Sequence, residues 1–276
     1  MKQTQAFLST YTADVSGVCS ALFELGGMTV MHDASGCNST YHTHDEPRWY
    51  DMDSLVFISG LSELEAVMGD DEKLITDIVD AARQLHPRFI ALAGTPIPMI
   101  TGCDLPAIAR EVEGRTKIPS FAVPSNGIGT YVAGAGQALR LYAERFITKA
   151  PDKRKNAVNI LGATPLDFSV NGCVQSMARR LEEAGFTLQC VFAMSSSIDA
   201  IDKAGAAEAN LVISSVGLPA AKYLQAQFGT PYVIGAPFGD FFSPYVFDAL
   251  RASIRTGENT RVLGTCSPDA PDTVIV

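Results

Sequence analysis

The sequence predicts an α/β protein built from two doubly wound, Rossmann-like domains with mainly parallel sheets. Three observations predict it. Short apolar, β-rich runs alternate with amphipathic helical stretches along almost the whole chain, the order that βαβ crossovers and parallel sheets produce. The alternation stops at one polar segment, TKAPDKRKN (148–156), and then restarts, so this segment reads as a linker. At 276 residues the chain has room for two domains of ordinary size, which the linker places at 1–152 and 153–276.

In the first half, strands are read at MTVMH (28–32), SLVFIS (54–59), RFIALAG (88–94) and SFAVP (120–124). Helices are read at 71–86, 104–115 and 129–147. Leu74, Ile78, Ala81, Ala82 and Leu85 recur at spacings of three and four and make one apolar face, and Leu139, Tyr142 and Phe146 make another. The second half repeats the scheme, with strands at 157–162, 187–193, 209–215 and 231–236. Its helices are read at 171–185, 197–205, 218–229 and 243–257.

Composition narrows the function. Apolar residues make up 47% and charged residues 18%, which suits buried cores and excludes a disordered chain. With 21 basic against 30 acidic residues the formal charge is −9, which argues against non-specific nucleic-acid binding. No apolar run reaches the roughly 18 residues of a membrane span. The start, MKQTQAFLST, has no apolar signal core, so the expectation is a cytoplasmic protein without a membrane partner.

In doubly wound folds ligands sit beyond the carboxyl ends of the strands. The loops that matter are therefore 32–46, 58–63, 92–104 and 123–129 in the first domain, and 161–168, 214–217 and 235–240 in the second. Gly127 and Gly129 fit the first two glycines of a dinucleotide fingerprint, but position 132 is valine and no acid ends a strand about 20 residues on. A tight strand-to-helix turn is the better reading. No phosphate-binding G-x-x-x-x-G-K-[ST] loop and no G-x-S-x-G elbow is present, which leaves an ATPase or hydrolase without support. His42 and His44 invite a zinc reading, yet residues two apart converge only in a loop, and a polar or substrate-facing segment is preferred. Trp49, the only tryptophan, anchors that segment by burial.

Six cysteines (Cys19, Cys37, Cys103, Cys173, Cys190 and Cys266) include no Cys-x-x-Cys pair, against a zinc ribbon or a thioredoxin-like site. Cys173 and Cys190 fall within a helix and a strand and read as buried thiols. Cys19 and Cys37, 18 residues apart, read either as buried hydrophobes or as soft ligands on two loops meeting at an interface. Gly17 and Gly36 beside them would let the backbone approach an inorganic core.

Taken together these segments look familiar. Gly-Val-Cys (17–19), His-Asp-Ala-Ser-Gly-Cys (32–37), Leu-Val-Phe-Ile-Ser-Gly-Leu-Ser-Glu (55–63) and Met-Gly-Asp-Asp-Glu-Lys-Leu (68–74) resemble the nitrogenase component 1 family. So do residues 95–105, 223–232 and 235–239. That family includes molybdenum-iron protein subunits, cofactor-scaffold relatives and tetrapyrrole-reducing subunits. The resemblance implies an iron–sulfur cluster, expected as [4Fe–4S], held by cysteines at a subunit interface. It implies a homodimer or a heteromer with a related subunit, and electrons from a separate ATP-hydrolysing P-loop iron protein.

Carried over, Cys19 and Cys37 match the first two cluster cysteines, with Gly36 adjoining. The third position is Thr95 here, so either Cys103, eight residues on, substitutes for it or the third ligand is lost. Two copies of Cys19 and Cys37 give four thiolates, enough for one [4Fe–4S] cluster on a two-fold axis. Ser59, Ser62, Glu63, His42 and His44 are candidate cluster- or substrate-facing groups. Subunits of this family usually have three Rossmann-like domains, and this chain has residues for two. The expected function is a redox protein passing low-potential electrons to an unknown substrate. Its alternative is a non-catalytic scaffold or carrier for a metallocluster or tetrapyrrole.

Overall fold

The computed structural model describes residues 13–34, 36, 38, 41, 46–148, 152–195 and 198–262. In chain order the first half runs α1 (Asp14–Leu22), β1 (Met28–His32), β2 (Leu55–Ile58), α2 (Glu63–Met68) and α3 (Asp71–Leu85). It continues with β3 (Ile90–Gly94), α4 (Pro96–Thr101), α5 (Leu105–Thr116), β4 (Ser120–Val123) and α6 (Tyr131–Phe146). The second half runs β5 (Ala157–Leu161), α7 (Pro165–Phe168), α8 (Cys173–Glu183), β6 (Thr187–Val191) and α9 (Ile198–Ile201). Then come β7 (Ala209–Val212), α10 (Leu218–Phe228), β8 (Tyr232–Ile234), α11 (Gly239–Thr256) and β9 (Thr260–Arg261). Every expected strand and long helix is present within a few residues of its predicted bounds. Helices α1, α2, α4 and α7 and the short β9 go beyond the sequence expectation.

Among the described residues the strands form two parallel sheets, ordered β2-β1-β3-β4 and β6-β5-β7-β8-β9. Val30 pairs with Phe57 on one side and Leu92 on the other, which fixes the first register. In both sheets the first strand lies inside, so the chain reverses its winding direction between the first and third strands. That reversal opens a crevice at the carboxyl ends, the usual seat of a ligand in such sheets.

Side-chain alternation along the strands sorts the core into three layers. Ile90 and Leu92 pack under α3 and α5, on the outer face of the first sheet. Val158, Ile160 and Leu211 pack under α8 and α11, on the outer face of the second. Ala91 and Ala93 of the first sheet and Leu161 and Val212 of the second share one central core with α1, α6 and α10. In that central layer Asn159 donates to Asn210 Oδ1 (2.7 Å) and to the Ala204 carbonyl (3.0 Å), and the buried Cys190 thiol donates to Asn159 Oδ1.

The predicted linker is only partly free. Lys153 Nζ donates to the Gly205 and Ala207 carbonyls and to Thr230 Oγ1, and the Arg154 amide donates to Ala206 O. Burial holds the Lys153 ammonium below its ordinary pKa. This clip fastens the start of the second half onto β7 and β8. The closing helix begins at Gly239 rather than 243, because Pro244 lies inside it and not at its start. Among the described residues no helix is long and apolar enough to cross a membrane.

Helices α1 and α6 cross backbone to backbone at two glycines. A Cβ on Gly134 would lie 1.9 Å from the Asp14 carbonyl oxygen, and one on Gly17 would lie 2.1 Å from the Tyr131 carbonyl oxygen. Gly17 therefore serves helix packing, which corrects the expectation that it faces an inorganic core. Main-chain atoms cannot step aside as side chains do, so Gly134→Ala is expected to destabilise by about 1–3 kcal/mol. Gly114→Ala on α5, where an added Cβ meets nothing within 4 Å, is expected to stabilise by about 0.5–1 kcal/mol. Urea unfolding of both variants checks the pair.

Candidate functional site

The exits of the first three strands are tied together by hydroxyls. Ser59, past β2, lies 2.9 Å from His32 Nδ1 at the end of β1. Its Oγ accepts the Asp33 amide at 3.1 Å and donates to the Asp33 carbonyl at 3.2 Å. Thr95, past β3 and fully buried, donates its Oγ1 proton to the His32 carbonyl at 2.7 Å. Asp33 Oδ2 then accepts Asn38 Nδ2 at 2.6 Å. The Cys37 loop thus leaves β1 at the crevice of the first sheet. Cys37, His42 and His44 themselves lie outside the described residues, as does Cys266.

Ser62 and Glu63 have other work. Ser62 caps α2 in a reciprocal box with Glu65, and Glu63 opens that helix on the surface. The Gly127–Gly129 turn is filled by the chain's own carboxylate: Asp14 Oδ1 accepts the Gly127 amide at 2.8 Å and Oδ2 the Asn126 amide at 3.0 Å. Those amides are the ones a dinucleotide phosphate would need.

Cys19 is expected on a loop and lies instead in the middle of α1, with no exposed surface. Burial pushes its thiol far above the ordinary value, and the Glu46 carboxylate adds to the rise. Around it is a polar cluster that no sequence motif announces. Ser20 Oγ donates to Glu46 Oε2 at 2.9 Å, and Tyr41 donates to the same oxygen at 3.4 Å. Arg48, the neighbour of Trp49, spends all five guanidinium protons here. Nε donates to Glu46 Oε1 (2.7 Å), Nη1 to Glu24 Oε1 (2.9 Å) and Ala193 O (3.0 Å), and Nη2 to Ser20 O (2.7 Å) and Glu46 Oε2 (2.9 Å). Its plane sits 4.6 Å above the Phe23 ring. Burial draws the Arg48 pKa down, and the bonds to Glu46 and Glu24 more than reverse it. Trp49 packs edge-on against Phe23 at 5.1 Å and donates Nε1 to Tyr41 O, so it anchors the segment as expected.

Cys103 lies elsewhere. It is half-buried ahead of α5 and packs against the outer core with Leu105, whereas Cys19 belongs to the central core. The first sheet separates the two thiols, so within one chain they do not meet. Cys103 Sγ lies 3.7 Å from Asp71 Oδ1, and burial, then Asp71 and Asp104, push its thiol up to about 12. It lines a 330 Å³ cavity whose wall includes Thr95, Met99 and Ser125. Gly36 is exposed, and a Cβ there would meet nothing within 4 Å. Among the described residues no three His, Cys, Asp or Glu side chains gather as a metal site.

The model of the nitrogenase component 1 type oxidoreductase family matches residues 15–252. The chain belongs to this family. A nitrogenase iron-molybdenum cofactor biosynthesis protein NifE from Methanosarcina barkeri is 28% identical over 196 residues, covering 66% of this chain and 42% of its own. One subunit of the light-independent protochlorophyllide reductase of Nostoc punctiforme is 28% identical over 62% of this chain and 36% of its own. Its counterpart from Prosthecochloris aestuarii is 36% identical over 65% of this chain and 35% of its own. The solved nitrogenase Cp1 at pH 6.5 aligns with a TM-score of 0.71 over 92% of this chain and 54% of that chain, at 18% identity, which shows the shared fold. The chain spans less than half the length of the curated relatives it matches.

For this nitrogenase component 1 type chain, the described residues place two buried thiols, Cys19 and Cys190, in the central core. The described residues do not by themselves make a cluster ligand set. Sequence reasoning missed Glu46 and Arg48. The signal was an acid two residues before an arginine, beside the only tryptophan.

Two outcomes follow from this geometry. Arg48→Met leaves Glu46 and Glu24 buried without their cation, and is expected to destabilise by about 3–5 kcal/mol, with part recovered on adding Glu46→Gln. Chemical denaturation of the single and double variants measures it. Burial also holds the His32 imidazole below its ordinary value of 6.5, against the opposing pull of Asp71, Asp33 and Glu65. The folded chain then binds this proton less readily than the unfolded one. The contribution is present above pH 6.5 and is lost as pH falls from there through the lowered folded value. The melting temperature is expected to drop between about pH 7.5 and about pH 5.5, with a shallower slope in His32→Gln.

Proposed function

We propose that this chain is a redox subunit that binds one [4Fe–4S] cluster at an interface between two copies, or with a related subunit, through Cys19 and Cys37 of each. The observation that carries the ligand count is the fate of the third position. Thr95 spends its hydroxyl on the His32 carbonyl, and Cys103, packed against the outer core, is separated from Cys19 in the central core by the first sheet. In this reading Cys19 and Cys37 are the two ligands of each chain, and two chains supply the four thiolates that such a cluster takes.

Bound there, the cluster would supply one-electron transfer at low potential. The chain's own part is positional. Helix α1, pinned by Arg48 at the Ser20 carbonyl, holds Cys19 in place, and the Ser59–His32–Thr95 ties hold the root of the Cys37 loop. Cys19 must release its proton on ligation, which makes cluster assembly favour higher pH.

An ATP-dependent P-loop iron protein is the electron donor in this reading. Helices α2 and α4 follow β2 and β3, at the same sheet end from which the Cys37 loop leaves. Leu64, Val67, Met68 and Ile100 on those helices are each at least 70% exposed, an apolar surface suited to a docking partner. A second reading, a non-catalytic scaffold or carrier for a metallocluster or tetrapyrrole, draws support from the relative named for cofactor biosynthesis. Reductant-dependent turnover with the iron protein separates it from a redox subunit.

Anaerobic purification is expected to give about four iron and four acid-labile sulfide per dimer, and a paramagnetic signal after dithionite reduction. Cys19→Ala and Cys37→Ala are expected to lose both, while Cys103→Ala keeps them. A folded, colourless, iron-free dimer after anaerobic reconstitution, or loss of iron in Cys103→Ala, overturns the proposal.

A further inference from the structure

The groove between α6 and α10 plays no part in the cluster reading. It is a cavity of 520 Å³ lined by Gln137, Arg140 and Glu144 from α6 and by Ser215, Lys222 and Tyr223 from the α10 side. That volume is in the range of small-molecule sites, which favour seams between two structural units. Here one wall comes from each half of the chain. Leu218 and Pro219 give it an apolar floor.

Its charge is unlike that of the rest of the molecule. The chain carries a formal charge of −9, yet the only acid in this lining is Glu144, and it is already paired. Arg140 Nε donates to Glu144 Oε1 at 2.7 Å, which orients the guanidinium and leaves its two terminal nitrogens without an acceptor among the described residues. Lys222, the only charged residue of α10, has no acceptor among the described residues either. Tyr223 gives its hydroxyl proton to Ile147 O at 3.2 Å, so its ring stays in place as wall. An oriented guanidinium beside an ammonium is a grip for an oxyanion. The positive end of α10 lies toward Ser215 and adds to the field.

We propose that this groove binds a small organic anion, with a carboxylate or phosphate held by Arg140 and Lys222 and an apolar body laid on Leu218, Pro219 and the Tyr223 ring. Because α6 and α10 belong to different halves of the chain, the bound anion stabilises their packing.

Calorimetric titration of the purified full chain with phenyl phosphate, benzoate and inorganic phosphate tests this. One equivalent of phenyl phosphate or benzoate per chain is expected to bind saturably and more tightly than inorganic phosphate, and the aromatic probe that binds tells phosphate from carboxylate. Arg140→Gln and Lys222→Gln are each expected to weaken it about tenfold, as loss of a charge-assisted bond does. Lys222→Glu abolishes it, and Arg83→Gln, far from the groove, leaves it unchanged. Failure of all three probes to saturate by about 10 mM, or equal affinity in the groove variants and the parent, overturns the proposal. Iron content is not read in this experiment, so its failure leaves the cluster proposal standing.

Discussion

Arg48 is the interaction on which the arrangement depends. A buried guanidinium is costly unless every proton finds an acceptor. Here each does, and the acceptors come from four places in the chain: the Ser20 carbonyl in the last turn of α1, the Glu24 carboxylate just past it, the Glu46 carboxylate at the head of Arg48's own short turn, and the Ala193 carbonyl past β6. Ser20 O belongs to the last turn of α1, whose final four carbonyls lack intrahelical partners. Arg48 thus completes that helix end while reaching across to the second half. Glu24 extends the link by accepting the Ser195 amide at 2.7 Å. Ala193 and Ser195 both hold positive φ angles, an uncommon state for residues with a side chain, and these bonds help keep them there.

The same cluster sets the character of the neighbouring thiol. Burial raises the pKa of the Cys19 thiol, and the Glu46 carboxylate adds to the rise. A thiol in that setting keeps its proton, and a simple nucleophilic or redox-switch cysteine is disfavoured. The electrostatics of the central layer therefore disfavour a free reactive Cys19.

Much of the fold was legible because its signals are periodic. The 3–4 spacing on α3 and the runs at β1, β3 and β5 are local patterns, and local patterns need no tertiary knowledge. Helix α1 escaped because it is buried all round, with Gly17 in its middle and no side-chain cap at its start, so it has no amphipathic stripe to read. The polar cluster escaped for a different reason. Arg48 bonds to residues up to 145 positions away, and no spacing rule links Pro47-Arg48-Trp49 to a carbonyl past β6. The histidines drew attention because their chemistry is visible in one dimension, whereas the arginine's role exists only in three.

Thr95 shows how one substitution redistributes the work of a site. At a strand exit, a cysteine would direct a thiol to the crevice, whereas threonine turns its hydroxyl back onto the His32 carbonyl and knits β3 to β1. A downstream cysteine does not restore the lost donor merely by being near in sequence. Between Thr95 and Cys103 the chain makes one helix, α4, and emerges over α5, on the outer layer. The two residues line one cavity, yet Thr95 turns its hydroxyl toward β1 while Cys103 packs against the outer core. The remaining thiols per chain are then too few to enclose a cluster alone. In the proposed dimer a two-fold axis would double each donor placed near it without requiring a new one in the sequence.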